Sequence, residues 1–540
     1  MTEVGSDGRA RGICVIGATG AREVTSAEVG GKAFNLMMMT EAGLSTPPAF
    51  VLGTQSCRAF HEVGEHLGDD LGADVLDGIG EIERQTGQRF AGGRRPLLVS
   101  VRSGAAVSMP GMLETILNVG LSDATLPGLL RATGNPVFVW DSYRRLIQSY
   151  AEVVDGCSAD PFAQVLSNVM VECAVPSAEE LDVAALRSVV RGEKDVYRSI
   201  VGRAFPQDPV EQLLGAVGAV FRSWNSPRAV NYRELQRLTD LIGTAVTVQA
   251  MVFGNMGVAS GSGVGFTRDP ATGENRTYVD FILNAQGEDV VAGRFKADDS
   301  DRTIAAVPGL AHELQSVRRK LEILFRDAQD FEFTVQEGTL WMLQTRTAKR
   351  TPWAALRIAC DLVDEGLIDV ATALERLSDY DLDAISRLRL VDQHGGELLG
   401  RGTPASDGIG SGRLALTIDE AQRFSRDGDR VVLVRTEAST EDIVGLAICR
   451  GFVSVTGART SHAAVVARQL GLACVVGCGG LQVDVEHGRI RLGGSEVLEG
   501  ELVTVDGGTG AVYRGEPNTC LERPDDLVRR VDDWKTSLTG

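Results

Sequence analysis

Thr460-Ser461-His462-Ala463-Ala464-Val465-Val466-Ala467-Arg468 is the stretch that decides how this chain is read. The residues before it, Gly451 to Gly457, are apolar and β-branched, which predicts a strand and a turn. The residues after His462 are rich in Ala and Val, with no breaker until Gly471, which predicts a short helix. Thr460 or Ser461 would cap that helix, and Gly471 would end it. His462 then falls in the first turn, at the positive end of the helix dipole. An imidazole there is kept neutral and so nucleophilic. A phosphoryl group attached to it would face free backbone N–H groups. The competing reading is a packing or surface histidine, one of only six in the chain.

Composition narrows the classes. At 540 residues the chain is too long for one core, so several domains are expected. The net charge of −19 leaves no basic excess for general nucleic-acid binding, although a nucleotide site needs only a few local cations. The opening MTEVGSDGRARG lacks the apolar core of a signal peptide, and no apolar run reaches the roughly 20 residues that span a bilayer. Neither a membrane nor nucleic acid is expected as a partner. Of nine cysteines only Cys474 and Cys478 lie close, with no second pair or nearby His, so zinc is not expected. Reduced thiols and a cytoplasmic location follow.

The pattern along the chain is mixed α/β. Residues 135–240 read as mainly helical, 245–346 as strands and 352–390 again as helix. The Gly- and Pro-containing stretch 394–412 reads as a connector between domains. Residues 413–515 alternate strands and short helices, and the last 25 residues read as a polar tail with one helix.

Three clusters in the first 350 residues suit phosphate chemistry. Gly30-Gly31-Lys32 precedes a helical run; the glycines admit an anion and the lysine adds charge. Ala33 stands where a Walker A loop needs Ser or Thr, and a plain turn with a surface lysine is the alternative. Arg102 ends an apolar run and could grip phosphate bidentately. The loop after it, Ser108-Met109-Pro110-Gly111, could fold over the phosphates or simply connect two elements. In the third cluster, Asp330 and Glu332 share one face of a strand, and two carboxylates so placed can hold magnesium against a triphosphate. Gln344 and Arg346 share a face of the next strand. A salt bridge from Arg346 to one carboxylate is the competing account.

With these segments assembled, the chain resembles the pyruvate, phosphate dikinase family. The stretches at residues 30–36 (GGKAFNL), 97–121 (LLVSVRSGAAVSMPGMLETILNVGL), 139–148, 219–233, 252–274, 283–293 (LNAQGEDVVAG), 331–351 and 460–471 follow that family's order. The related phosphoenolpyruvate synthases share the histidine motif, but SMPGMLETILN and NAQGEDVVAG favour the dikinase. The resemblance implies an ATP-grasp nucleotide-binding domain over 1–350, with a helical subdomain at about 125–240. It also implies a helical linker and connector over 351–412, a swivelling β/α phosphohistidine domain over 413–515 and a tail over 516–540.

By the same resemblance, Lys32, Arg102, Gly111, Glu288, Asp330, Glu332, Gln344 and Arg346 would bind ATP, with Asp330 and Glu332 on magnesium. His462 would take the β-phosphoryl of ATP, leaving AMP, with inorganic phosphate taking the γ-phosphoryl as pyrophosphate. Thr460 matches a position that a regulatory kinase phosphorylates in some relatives.

Two departures stand out. The (β/α)8 barrel that binds pyruvate or phosphoenolpyruvate in the family has no counterpart in these residues, since a barrel needs roughly 200 residues or more. The expectation is therefore an ATP-side half-reaction, with the barrel on a separate partner chain, and room for a homodimer. The alternatives are transfer to a different small molecule, or an inactive nucleotide-binding scaffold. The second departure is Ala458-Arg459 before Thr460, where relatives usually carry Gly and Met.

Overall fold

A computed structural model describes residues 12–17, 24–107, 109, 114–235, 237–238, 241–287, 290, 300–391, 396–437, 445–457, 459 and 462–539. The chain forms two compact units. One holds residues up to Gly257 together with Trp341–Gln344, the other Val258–Leu340 and Thr345 onwards. Among the described residues no helix is long and apolar enough to cross a membrane.

The first unit is built on a five-stranded antiparallel sheet. Its order is Ile13–Val15, Ala49–Leu52, Ala245–Ala250, Val99–Gly104, Thr115–Val119. Two of its inner runs, AFVL and AVTVQA, are buried along their whole length, Thr247 and Gln249 included. Helices Asp69–Thr86 and Pro209–Ser223 lie in the same core. The expected helical stretch is present as Pro136–Val153, Asp160–Cys173 and Val183–Val201. Asn135 and Asp182 cap two of these helices by accepting the Phe138 and Ala185 N–H groups. Tyr143, Tyr150 and Tyr197 pack edge-on around Phe205.

The second unit contains a four-stranded sheet in the order Thr339–Thr347, Gln329–Gln336, Gly261–Phe266, Tyr278–Leu283. Its third strand, GSGVGF, has glycine at every second position. Phe333 and Phe281 are both paired with Gly263, and their rings stack at 5.7 Å over the space a side chain would fill. Phe331 does the same at Gly265. Alternation then places Phe266, Asp330, Glu332, Tyr278 and Asp280 on the opposite face. One face of the sheet is aromatic and the other is charged.

The eight-stranded sheet of this unit runs Glu397–Arg401, Ala511–Arg514, Leu502–Asp506, Ile409–Ala415, Val431–Arg435, Gly451–Ser454, Ala473–Val476, Thr403–Ser406. The four strands from Ile409 to Val476 are mutually parallel. Parallel neighbours need crossovers, and helices Ile418–Arg426 and His462–Leu470 supply two of them. The expected strand and helix around the histidine are therefore present. Gly471, at φ +65°, ends the helix as anticipated. Thr460 and Ser461, the candidate caps, lie outside the described residues.

Two expectations need correction. Much of the stretch 394–412 is not a loose connector: Glu397–Arg401, Thr403–Ser406 and the start of Ile409–Ala415 are strands of the large sheet. Several of its glycines serve tight approaches between strands, as at Gly410, where an added Cβ would lie 2.0 Å from the Arg450 carbonyl. The final residues are not a free tail either. Thr519–Glu522 pairs with Arg387–Leu390. Helix Asp525–Thr539 buries Val531 completely against the core of helix Pro352–Asp364.

The glycine strand yields a direct test. Gly263→Val would drive a branched side chain into the Phe333 ring, which already lies 2.4 Å from the position of an added Cβ. Calorimetry should show the variant destabilised by about 1–3 kcal/mol or more. Gly72→Ala, in helix Asp69–Thr86 with open space around it, should be neutral or slightly stabilising.

Candidate active site

In the first unit, Lys32 and Arg102 are carried by elements that touch. Helix Gly31–Glu41 starts against the end of strand Val99–Gly104, where the Gly31 N–H donates to the Ala105 carbonyl at 3.0 Å. The approach requires glycine: Gly30 has φ +78°, and a Cβ there would lie 2.0 Å from the Gly104 carbonyl oxygen. Lys32 is exposed in the first helical turn, and Arg102 is half-buried in the strand. Both have partners within the protein. Gln344 is buried in the edge strand, in the segment that groups with the first unit; there the Met342 N–H donates to the Ser45 carbonyl. Gly111 and Glu288 lie outside the described residues.

In the second unit, the charged sheet face centres on Asp330. Its side chain is only 4% exposed, and it accepts a hydrogen bond from Arg346 Nε at 2.7 Å. The salt bridge raised as an alternative is thus real. Burial pushes the Asp330 carboxyl up to about 6, against the downward pull of Arg346. Burial lowers the Arg346 pKa, but Asp330 and Glu332 more than reverse this, so it ends above its ordinary value. Glu332, half-buried two residues along the same strand, has partners of its own.

The helix that begins at His462 meets this same face. Arg468, 1% exposed, sets its guanidinium 5.2 Å from the centre of the Phe266 ring, and Phe266 is the cross-strand partner of Asp330. Arg468 Nη1 donates to the carbonyls of Ala405 and Arg459, tying down the chain just before the histidine. Burial holds the Arg468 pKa below its ordinary value, although Tyr278, Cys474, Asp280 and Asp330 pull it upward. Tyr278 donates its hydroxyl to the Pro404 carbonyl at 2.9 Å.

Comparison with known proteins fits this arrangement. The family model described as "Pyruvate phosphate dikinase, AMP/ATP-binding domain" matches residues 65–306. A second, "PEP-utilising enzyme, mobile domain", matches residues 428–510. Pyruvate, phosphate dikinase of Clostridium symbiosum is 43% identical over 509 residues, covering 94% of this chain and 58% of the relative. The Rhizobium meliloti enzyme is 41% identical over 90% of this chain and 56% of its own length. The chloroplastic dikinase 1 of Arabidopsis thaliana is 42% identical over 90% and 51%. Over its AMP/ATP-binding and mobile-domain regions the chain is thus similar to the pyruvate, phosphate dikinases. It spans a little over half the length of these dikinases.

The sheet face brings together Asp330, Glu332 and Arg346, which the sequence singled out, with Tyr278, Asp280 and Arg468, which it did not. Alternation along YVDFIL could have placed Tyr278 and Asp280 on one face; nothing local marked Arg468 as buried. Among the described residues no cluster of three or more His, Cys, Asp and Glu side chains forms a metal site. Magnesium nevertheless fits, because it is commonly held by one or two carboxylates plus substrate phosphates. Asp330 and Glu332 are such a pair of oxygen donors on one strand face.

The buried carboxyl has a pH signature. Its folded-state value of about 6 exceeds the ordinary 3.8, so the folded chain keeps this proton where the unfolded chain has released it. The stability from this group is full below about pH 4 and is lost as pH rises to about 6. Asp330→Asn keeps the neutral shape. Its unfolding free energy relative to wild type should climb between about pH 4 and 6, by an amount on the order of 3 kcal/mol at most, and then level off. A flat difference in calorimetry across that window would rule out the shift.

Proposed function

We propose that this chain is a pyruvate, phosphate dikinase-type phosphotransferase, and that its residues carry the ATP- and phosphate-dependent phosphorylation of His462. The observation that carries the reading is the packing of Arg468, on the helix that begins at His462, against the sheet face that bears Asp330 and Arg346. The helix whose start would hold a phosphoryl group thereby packs, through Arg468 in its last turn, on the sheet that carries a buried carboxylate–guanidinium pair suited to phosphates and a divalent cation.

The proposed steps balance. An imidazole nitrogen of His462 attacks the β-phosphorus of ATP, the bond from that phosphorus to the α-phosphate oxygen breaks, and AMP leaves. Inorganic phosphate then attacks the γ-phosphorus, the bond from that phosphorus to the oxygen bridging it to the β-phosphorus breaks, and pyrophosphate leaves, with one phosphoryl kept on His462. Such transfers depend mainly on positioning and charge neutralisation. Lys32, Arg102 and Arg346 would neutralise phosphate oxygens, with Gly111, Glu288 and Gln344 completing the nucleotide contacts. Magnesium, held by Asp330 and Glu332, would add charge neutralisation across the phosphates. The domain organisation follows the same reading: a nucleotide-binding domain over about 1–350, a linker region and a swivelling phosphohistidine domain over about 413–515.

The phosphoryl would pass to pyruvate on a barrel, whether covalently continuous with this chain or on a separate polypeptide. A cytoplasmic setting fits these metabolites. Thr460, two residues from the nucleophile, is the proposed place for regulatory phosphorylation.

Isotope labelling tests the proposal. Incubation with magnesium, phosphate and ATP labelled at the β position should leave acid-labile label on the wild type and none on His462→Asn. Label retained only from the γ position would indicate ordinary kinase transfer. ATP binding with no label from either position would favour a scaffold.

A further inference from the structure

Arg459 sits three residues before His462, beside the one segment that joins the histidine helix to its preceding strand. Its guanidinium lies 4.5 Å from the centre of the Tyr278 ring. Tyr278 is the first residue of strand Tyr278–Leu283 and lies on the charged face, because its cross-strand partner is Phe266. The same tyrosine donates to the Pro404 carbonyl and packs edge-on to Phe266 at 6.2 Å. The Arg459 carbonyl is meanwhile held by Arg468 Nη1 at 2.9 Å. The residue before the histidine motif is therefore gripped twice: through its side chain by the four-stranded sheet, and through its backbone by the histidine helix itself.

We propose that Arg459 is a positioning residue, and that its contact with Tyr278 holds the start of helix His462–Leu470 at the charged sheet face and so sets how often the histidine is presented for phosphorylation. This rests on the phosphohistidine reading for its kinetic consequence, but not for the contact. The physical basis is the attraction between a cation and an aromatic face, strengthened where water is excluded. Among the described residues, Arg459 Nε is buried without a hydrogen-bond partner. Its desolvation is then tolerable only while the ring supplies compensating electron density. Arg468 reinforces the arrangement: among the described residues its Nε and Nη2 are buried with no hydrogen-bond partner, its guanidinium lies over Phe266 on the same face, and Asp280 and Asp330 attract its charge. Separating the two surfaces would hydrate both guanidinium groups, so the docked state depends on what the sheet face offers them. A neutral side chain at position 459 would make no such demand and receive no such hold.

The test uses the full chain with Arg459→Met, Arg459→Lys, Tyr278→Leu and the Arg459→Met/Tyr278→Leu double variant. Two measurements are made: hydrogen exchange of the 278–283 strand without nucleotide, and the single-turnover rate of β-label transfer to His462 at saturating ATP. Arg459→Met should speed exchange at 278–283 and slow labelling by about 2- to 30-fold, the range expected of such a contact. ATP affinity should be unchanged, and Arg459→Lys should restore part of the rate. The double variant should be no slower than the worse single variant. Unchanged exchange and unchanged labelling in Arg459→Met would overturn the proposal, as would fully additive losses in the double variant. If the wild type takes no β label, the phosphohistidine reading fails, while the exchange data still decide whether the contact holds the helix.

Discussion

A carboxylate is buried beside a guanidinium in the second unit, and the site is organised around that pair. Moving either charge out of water is expensive, and the Asp330–Arg346 contact offsets the cost only in part, which is why burial leaves the carboxyl at about 6. A sheet selected for stability alone would place apolar side chains at these positions. On the proposed reading, the retained pair would hold the face ready for the charge of phosphates and a divalent cation. The same burden is repeated across the surface that meets the face, where Arg468 is buried with its pKa depressed.

The opposite face of the sheet makes this tolerable. Glycines at 261, 263 and 265 let Phe281, Phe331 and Phe333 lie flat over the strand, so the aromatic side supplies the apolar burial. A strand that had to bury side chains on both faces could not leave Asp330, Glu332 and Asp280 together on one. Division of labour between faces links the composition of GSGVGF to the chemistry possible on its far side.

Much of the site was legible before any coordinates. The strand before His462 and the helix that starts at it follow from β-branched residues, then Ala and Val, then Gly471. The shared face of Asp330 and Glu332 follows from simple alternation. What the chain order concealed was register and partner. The β-rich stretch from 245 onward divides between two sheets: Ala245–Ala250 completes the first unit, while Gly261–Phe266 starts the second. The apparent connector near 400 and the apparent tail after 515 are strands and a packed helix, because the strands' hydrogen-bond partners lie far away in sequence. Local Gly, Pro and polar content cannot distinguish a loop from a strand that such a partner has captured.

The amino-acid sequence by itself determined the mixed α/β character, the histidine at a helix start and the acidic and basic residues arranged by periodicity, because these depend on spacing of two or about 3.6 residues. Tertiary structure alone decided that Arg346 is bound to Asp330, that Arg468 is buried over Phe266 and that Arg459 rests on Tyr278. Those contacts bring together segments 16, 202 and 181 residues apart in the chain, positions related only by how the sheets register and pack.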